Sequence, residues 1–343
     1  EAMPDVDVQR FVTAESQRPF DLAKAPLLRA ALLVSSGVHV LVLTMHHIVA
    51  DGLSLTILLK EWSALYRACL AGEPSPLPGL PIQYADYAAW QRRWLQGEAL
   101  AGLVAYWKRE LAGAPSLLTL PTDRPRPEAQ TFRGGIVELV IEEDLVRRLE
   151  SLSRQSGVTM FMTLLAAYAT LLSRLSGQDD VVVGSPISDR DRRECEPLIG
   201  FFVNTLALRV RTQGNPSFLE LLAQVRQMAL AAYAHGSLPF EQVVQAVRPA
   251  RSLGYTPLFQ AMFSWEPPAA LWDLPGITIT PIEKDHLVAK CDLSLLIKDQ
   301  GQALRAVFEY SSDLFDRATI VLWSHHFLTL LAEIGANPVH RGR

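Results

Sequence analysis

The stretch from Val38 to Leu58, VHVLVLTMHHIVADGLSLTIL, restricts what this chain can fold into more than any other. Its first half is too continuously apolar for a strand with one wet face, so it reads as a buried strand that delivers His46 and His47 to its end. From Leu53 the apolar spacing lengthens. Ile57, Leu58, Trp62, Leu65, Tyr66 and Cys69 fit one side of a helix, with Asp51 or Ser54 as its N-cap. Neighbouring residues on an extended strand point to opposite faces, so unless the strand has already broken, one histidine works and the other packs. His47, nearer the turn, is the candidate catalytic group, and His46 the packing one. Gly52 permits a positive φ and lets a substrate approach its backbone N–H. The same divergence of side chains argues against a metal site built on His46, His47 and Asp51, and no metal is expected.

The rest of the chain divides at LPTDRPRPEAQTFRGG, residues 120–135, where prolines, alternating charges and two closing glycines mark a linker. The expected organisation is therefore a first region over 1–119, the linker, and a second region over 136–343. Before the linker, Leu28 to Val34 reads as a strand that Gly37 turns into the histidine strand. The proline-rich GEPSPLPGLPIQ is an exposed connector, and Tyr84 to Trp90 leads into a helix. After it come a strand at Ile136 to Ile141, helices at 143–155 and 158–175, and a buried strand at Val181 to Val183 followed by SPISDR with Arg190. A strand over 199–210 carries Asn204 and Thr205 in its middle. A polar pair inside a buried strand needs partners, so it is either a satisfied core network or a substrate contact. Ser217 with Glu220 forms a capping box for a helix over 218–234. A hairpin about Asp299 to Gln302 and a helix over 318–334 complete the pattern.

A net charge of -4 leaves no basic surplus for nucleic acid and no polybasic patch for a membrane. Cys69, Cys195 and Cys291 are odd in number and form no CxxC pair, which suits free buried thiols in a reducing, cytoplasmic setting. The first residues show no secretory signal, and the apolar helix at 158–175 is crossed by threonines, Ser173 and Arg174, as a core helix is.

HHIVADG resembles the HHxxxDG motif of the chloramphenicol-acetyltransferase-like superfamily of acyltransferases, which several branches share. PFDL before PLLRA, then YADYAAW, IGFFVNTLALR, HGSLPFE and RSLGYTPLFQ are similar, in order and spacing, to further motifs of the condensation domains of nonribosomal peptide synthetases. Gly236 and Ser237 depart from the Gln and Asp that the family usually carries before PFE. The LFQAMF form looks most like domains that join an L-configured donor to an L-configured acceptor.

The resemblance implies an α/β fold, a two-layer α+β sandwich of two chloramphenicol-acetyltransferase-like lobes forming a V-shaped pseudo-dimer with a substrate tunnel between them. It implies two peptidyl carrier proteins, donor and acceptor, each bringing a thioester on a phosphopantetheine arm, with neighbouring synthetase modules as partners, no intrinsic cofactor and no obligate oligomer. The acceptor amine attacks the donor thioester, with His47 as base or as hydrogen-bond donor to the tetrahedral intermediate. Asp51 then holds the turn through an arginine, Arg190 as first choice and Arg251 as second. The Gly52 N–H touches the acceptor arm, and Ser54, Asn204, Thr205 and Arg251 are tunnel candidates. The family's earliest motifs have no match here, and the first lobe is short of the second by about 90 residues. The expectation is a C-terminal portion of a larger polypeptide that does not turn over alone. A carrier-binding module without catalysis and a free ester- or amide-forming acyltransferase are the competing readings.

Overall fold

The computed structural model describes residues 5–34, 38–266, 272–282 and 288–339 of the chain. Helix α1 (Asp5–Gln17) precedes two antiparallel strands, β1 (Leu28–Val34) and β2 (His39–Met45), paired with Leu28 opposite Met45 and Val34 opposite His39. Arg29 on β1 ties the pair to the helix end: its guanidinium donates to the carbonyls of Glu15 at 3.0 Å and Arg18 at 2.9 Å and lies 3.8 Å over the Phe20 ring. The histidine strand is half-buried, not buried. Leu28, Leu32 and Val34 of its partner β1 are exposed, because a continuous apolar run does not fix what covers each face. Gly37, expected to turn the hairpin, lies outside the described residues.

Asp51 caps α2 (Gly52–Ala71), which ends on Gly72 in the left-handed region at φ 68, where a side chain would be strained. The proline-rich run that follows has no regular structure and is largely exposed, and leads to α3 (Tyr84–Trp94).

Beyond α3, helix α4 (Gly97–Glu110) precedes β3 (Gly134–Ile141), α5 (Glu143–Gln155), α6 (Met160–Ser176), β4 (Asp180–Ser188), β5 (Val203–Arg211), α7 (Phe218–Ala234), α8 (Phe240–Val247), β6 (Ala261–Glu266), β7 (Leu293–Asp299), β8 (Leu304–Ser311) and α9 (Arg317–Ala336). The strands form one mixed sheet in the order β3-β8-β7-β6-β4-β5. β8 is antiparallel to both neighbours, and β6 runs parallel to β7 and β4. The core lies where α6 and α9 pack on this sheet. Leu164 to Ala169 contain no fully exposed position on any side, and the Tyr168 hydroxyl donates to the Leu293 carbonyl at 3.3 Å. Among the described residues no single helix is long and apolar enough to cross a membrane.

Packing divides the chain into two compact units, the first made of Glu1–Trp90, Arg190–Val203 and Ala270–Ile279, the second of Gln91–Asp189, Asn204–Ala269 and Thr280–Arg343. These are not the regions 1–119 and 136–343 expected from the proline-rich stretch. Leu103, Trp107, Leu118 and Leu120 belong to the core of the second unit. The 120–135 segment is strapped to the same unit: the Asp123 and Arg124 N–H groups donate to the Leu314 carbonyl at 2.9 and 3.2 Å, and Arg126 Nη1 donates to Asp292 at 2.9 Å. Proline reports extended, exposed backbone, not freedom from packing. Conversely, the chain leaves β4 to lend residues 190–203 to the first unit before β5, so Arg190, expected from the second region, belongs with the histidines. The strand expected over 199–210 starts only at Val203, because residues 199–202 are used in that excursion.

Candidate active site

The strand breaks between the two histidines. β2 ends at Met45; His46 is still extended (φ -73, ψ 135) and caps a 3₁₀ turn over His47–Val49. His46 is half-buried, its ring edge-on to Phe20 at 6.0 Å, and its Nδ1 accepts the Ile48 N–H at 3.1 Å. His47 is exposed, and its Nδ1 lies 2.7 Å from the Ala50 carbonyl. A carbonyl only accepts, so His47 Nδ1 carries a proton and donates it, and in the neutral ring the lone pair is therefore on Nε2. His46 takes the opposite tautomer, because its Nδ1 is the acceptor. Both imidazoles are tied into the turn through Nδ1, that of His46 as acceptor and that of His47 as donor, so Nε2 of His47 takes no part in the turn's hydrogen bonds.

What holds the turn is a buried polar cluster below it. Asp51 accepts the Ser54 N–H at 2.8 Å as N-cap of α2, and its second oxygen accepts the Phe202 N–H at 3.0 Å. Arg190 Nη2 approaches Asp51 at 3.1 Å and Ser54 Oγ at 2.9 Å, while Nη1 donates to the carbonyls of Cys195 and Leu198, both at 2.7 Å. The guanidinium plane also lies 3.9 Å over the Phe202 ring. Both side chains of the ion pair are nearly sealed, at 4% and 5% exposure. Burial pushes the Asp51 carboxyl up, but the Ser54 hydroxyl and N–H, the Phe202 N–H and Arg190 outweigh it and hold the group below the usual carboxylate range.

Ser54 is the junction of this cluster. Its oxygen accepts from Arg190 and from the Gly200 N–H at 3.1 Å, and its single proton has two acceptors in reach, Asp51 at 2.7 Å and the Gly200 carbonyl at 2.8 Å. With no exposed surface, Ser54 does not line a tunnel. Gly200 itself cannot carry a side chain, since a Cβ would fall 2.2 Å from the Tyr84 ring.

Gly52 differs from its expectation. It is the first residue of α2 with no positive φ, and a Cβ there would meet nothing within 4 Å. Gly52 is exposed, and its N–H is among the first-turn donors of α2 that have no intrahelical acceptor. Arg251 is exposed, in the loop after α8, and belongs to the second unit, so Arg190 is the arginine beside Asp51. Asn204 resolves toward the core-network alternative. Its amide donates to the carbonyls of Gly236 at 2.6 Å and Leu238 at 2.8 Å, and its oxygen accepts from Phe240 at 3.0 Å and Thr205 at 2.8 Å, which uses its capacity on the HGSLPFE loop. Thr205 follows it in β5, half-buried. Gly200, Phe201, Phe202 and Tyr84 have no role that sequence reasoning assigns, although IGFF and YADYAAW mark their positions. Among the described residues no group of His, Cys, Asp and Glu converges as a metal site.

The site is thus an exposed histidine in a turn held by a buried Asp51–Arg190–Ser54 cluster. The family model of the Condensation domain matches residues 1–343. The chain belongs to the condensation-domain family. It is 47% identical over 343 residues to one of the linear gramicidin synthase proteins of Brevibacillus parabrevis, covering 99% of this chain and 4% of that protein. Malpinin synthetase of Mortierella alpina is 47% identical over 340 residues, covering 98% of this chain and 4% of the relative. The chain thus spans a small fraction of these synthetases. Among solved structures, the X-domain from teicoplanin biosynthesis superposes with a TM-score of 0.89 at 27% identity, over 99% of this chain and 79% of that one. The first condensation domain of the CDA synthetase shares the fold, with a TM-score of 0.79 at 22% identity over 98% of this chain and 74% of that one. Condensation domains are the amide-bond-forming acyltransferases of nonribosomal peptide synthetases, and the fold is the chloramphenicol-acetyltransferase-like one expected from HHIVADG.

Proposed function

We propose that this condensation domain joins a donor acyl or peptidyl thioester to an acceptor aminoacyl thioester, each tethered by phosphopantetheine to a carrier protein of a larger synthetase, with His47 Nε2 as the group that receives the acceptor amine's proton. The observation that carries the reading is the 2.7 Å contact from His47 Nδ1 to the Ala50 carbonyl, which leaves Nε2 as the basic nitrogen. The acceptor nitrogen attacks the donor carbonyl, the new C–N bond forms, and the C–S bond of the donor breaks. The proton lost by nitrogen passes through Nε2 to the departing thiolate.

A thioester is already activated, and an α-amine of pKa about 7.7 to 8.0 is partly neutral near pH 7, so holding the two reactants together supplies much of the acceleration. Proton removal by a placed imidazole adds roughly 10²- to 10⁴-fold. Asp51, Ser54 and Arg190 stay out of the proton path and hold the turn. The Gly52 N–H, a first-turn donor on an exposed residue, is suited to a carbonyl of the acceptor arm, and an L-configured donor and acceptor fit the LFQAMF form.

The test is mass spectrometry of the acceptor arm after a module containing this chain is incubated with donor- and acceptor-loaded carriers, for the native sequence and for His47→Ala. A product lost by at least about 10²-fold in the variant supports the reading. A near-native rate removes His47 from the chemistry. Carrier binding without product identifies a docking module, and product made from a free amine or alcohol identifies an acyltransferase with soluble acceptors.

A further inference from the structure

We infer that Tyr84 is a positioning residue for His47, acting through the backbone of Phe201. The inference rests on the reading of His47 as the reacting imidazole. Its starting point is the IGFF segment, whose consecutive residues are tied in different directions. The Gly200 carbonyl accepts the Asp51 N–H at 3.2 Å, and the Phe202 N–H donates to the Asp51 carboxylate. Between them, the Phe201 carbonyl accepts the Tyr84 hydroxyl at 2.8 Å. Gly200 and Phe202 thus bond to the buried cluster, and Phe201, between them, turns its ring outward, 37% exposed, to stand edge-on against the His47 imidazole at 5.2 Å and 85°.

Tyr84 is fitted to this task at both ends of its side chain. Its ring occupies the space a Cβ at Gly200 would need, and it packs edge-on against Phe202 at 5.1 Å, so it cannot slide along the segment. Its hydroxyl then holds the Phe201 carbonyl, which the Asp51 cluster does not bond. The Phe201 carbonyl shares its planar peptide with the Phe202 N–H, so without the Tyr84 bond that peptide is held by Asp51 alone and can tilt about the single remaining hydrogen bond, carrying the Phe201 ring with it. The imidazole has two restraints on the described residues, the Ala50 carbonyl on Nδ1 and the Phe201 ring on its face or edge. The carbonyl sets which nitrogen is bare, while the ring limits how the imidazole swings about that hydrogen bond. The lone pair on Nε2 is aimed only if both act. The first residue of YADYAAW therefore serves the histidine turn as well as the hydrophobic cluster of Tyr87, Cys195, Leu198 and Phe202.

Tyr84→Phe tests this, because it keeps the ring against Gly200 and deletes the hydroxyl alone. The chain is labelled with ¹⁵N-histidine, and the His47 ring resonances are assigned by their loss in His47→Gln. Turnover is measured in a module carrying the same substitution between loaded donor and acceptor carriers. The expected result is a shift of both His47 ring nitrogens and a fall in kcat of about tenfold to a hundredfold, with KM for the acceptor carrier unchanged within about twofold. Phe201→Leu, which keeps the Tyr84 bond and removes the ring, is expected to shift the same resonances. Unchanged His47 resonances in Tyr84→Phe overturn the proposal, whatever Phe201→Leu does and even if the melting temperature falls, because that is what a purely structural tyrosine would produce. If His47→Ala retains the native rate, the proposed chemistry fails, and the resonances still decide whether Tyr84 sets the imidazole.

Discussion

The ion pair under the histidine turn is open to a double-mutant cycle. Arg190→Met removes the guanidinium but keeps an unbranched apolar side chain over Phe202, and Asp51→Asn removes the charge with little change of shape. At 3.1 Å two unit charges attract by about 5 kcal/mol for an effective dielectric near 20. Arg190→Met also strips the Cys195 and Leu198 carbonyls of donors held at 2.7 Å. Asp51 keeps its bonds from Ser54 and Phe202 in that variant, which softens the loss. The single substitution should therefore cost about 3–5 kcal/mol, the usual result of leaving one buried partner alone. Asp51→Asn, whose amide must face at least one N–H donor, should cost about 2–3 kcal/mol. Because each single variant already breaks the same pair, the double variant should fall short of additivity by about 2–3 kcal/mol. Urea denaturation followed by tryptophan fluorescence gives the midpoints, and equal m-values across the four proteins license the comparison. Additivity within about 0.5 kcal/mol would refute the reasoning, since it would mean that the two groups do not stabilise one another across their contact.

Gly52→Ala should leave the melting temperature within a few degrees of native, because φ is ordinary and a Cβ has open space. A fall of more than tenfold in condensation rate with that fold intact would assign the glycine to substrate access, whereas a large fall in melting temperature would contradict the geometry. The Asp51 carboxyl is held below its ordinary range, so the unfolded chain takes up its proton first as pH falls. Its contribution to stability is complete above about pH 4 and drains away as pH drops through the lower folded value. Urea midpoints between pH 6 and pH 3 should fall more steeply for the native chain than for Asp51→Asn, and equal slopes would remove Asp51 from the acid transition.

The histidine turn is legible in the sequence because its signals are local. An apolar run, two histidines and an Asx N-cap specify strand, break and helix within about a dozen residues, and Asp51 does cap α2. The capping box at Ser217 and Glu220 is readable for the same reason. The unit boundary is not, because packing across long sequence separations decides it. Trp107 joins the second unit through its ring N–H to the His235 carbonyl at 3.0 Å, 128 residues away, and no spacing announces that. Gly52 shows a different failure. A glycine at a turn suggests φ above zero, yet here the helix start needs only an ordinary conformation. Ser54 misleads because its neighbours in sequence are apolar, while its partners are a backbone segment near residue 200 and an arginine at 190.

The excursion at 190–203 has a consequence for engineering synthetases by recombination. A hybrid joined at Trp90 would pair one parent's HHIVADG with the other parent's arginine, glycine and phenylalanines, because the chain returns to the first unit a hundred residues later, and again at Ala270–Ile279. Keeping the buried cluster from one parent means that Arg190, Gly200, Phe201 and Phe202 travel with Tyr84 and Asp51, as a discontinuous cassette with seams at 189/190 and 203/204 for this excursion.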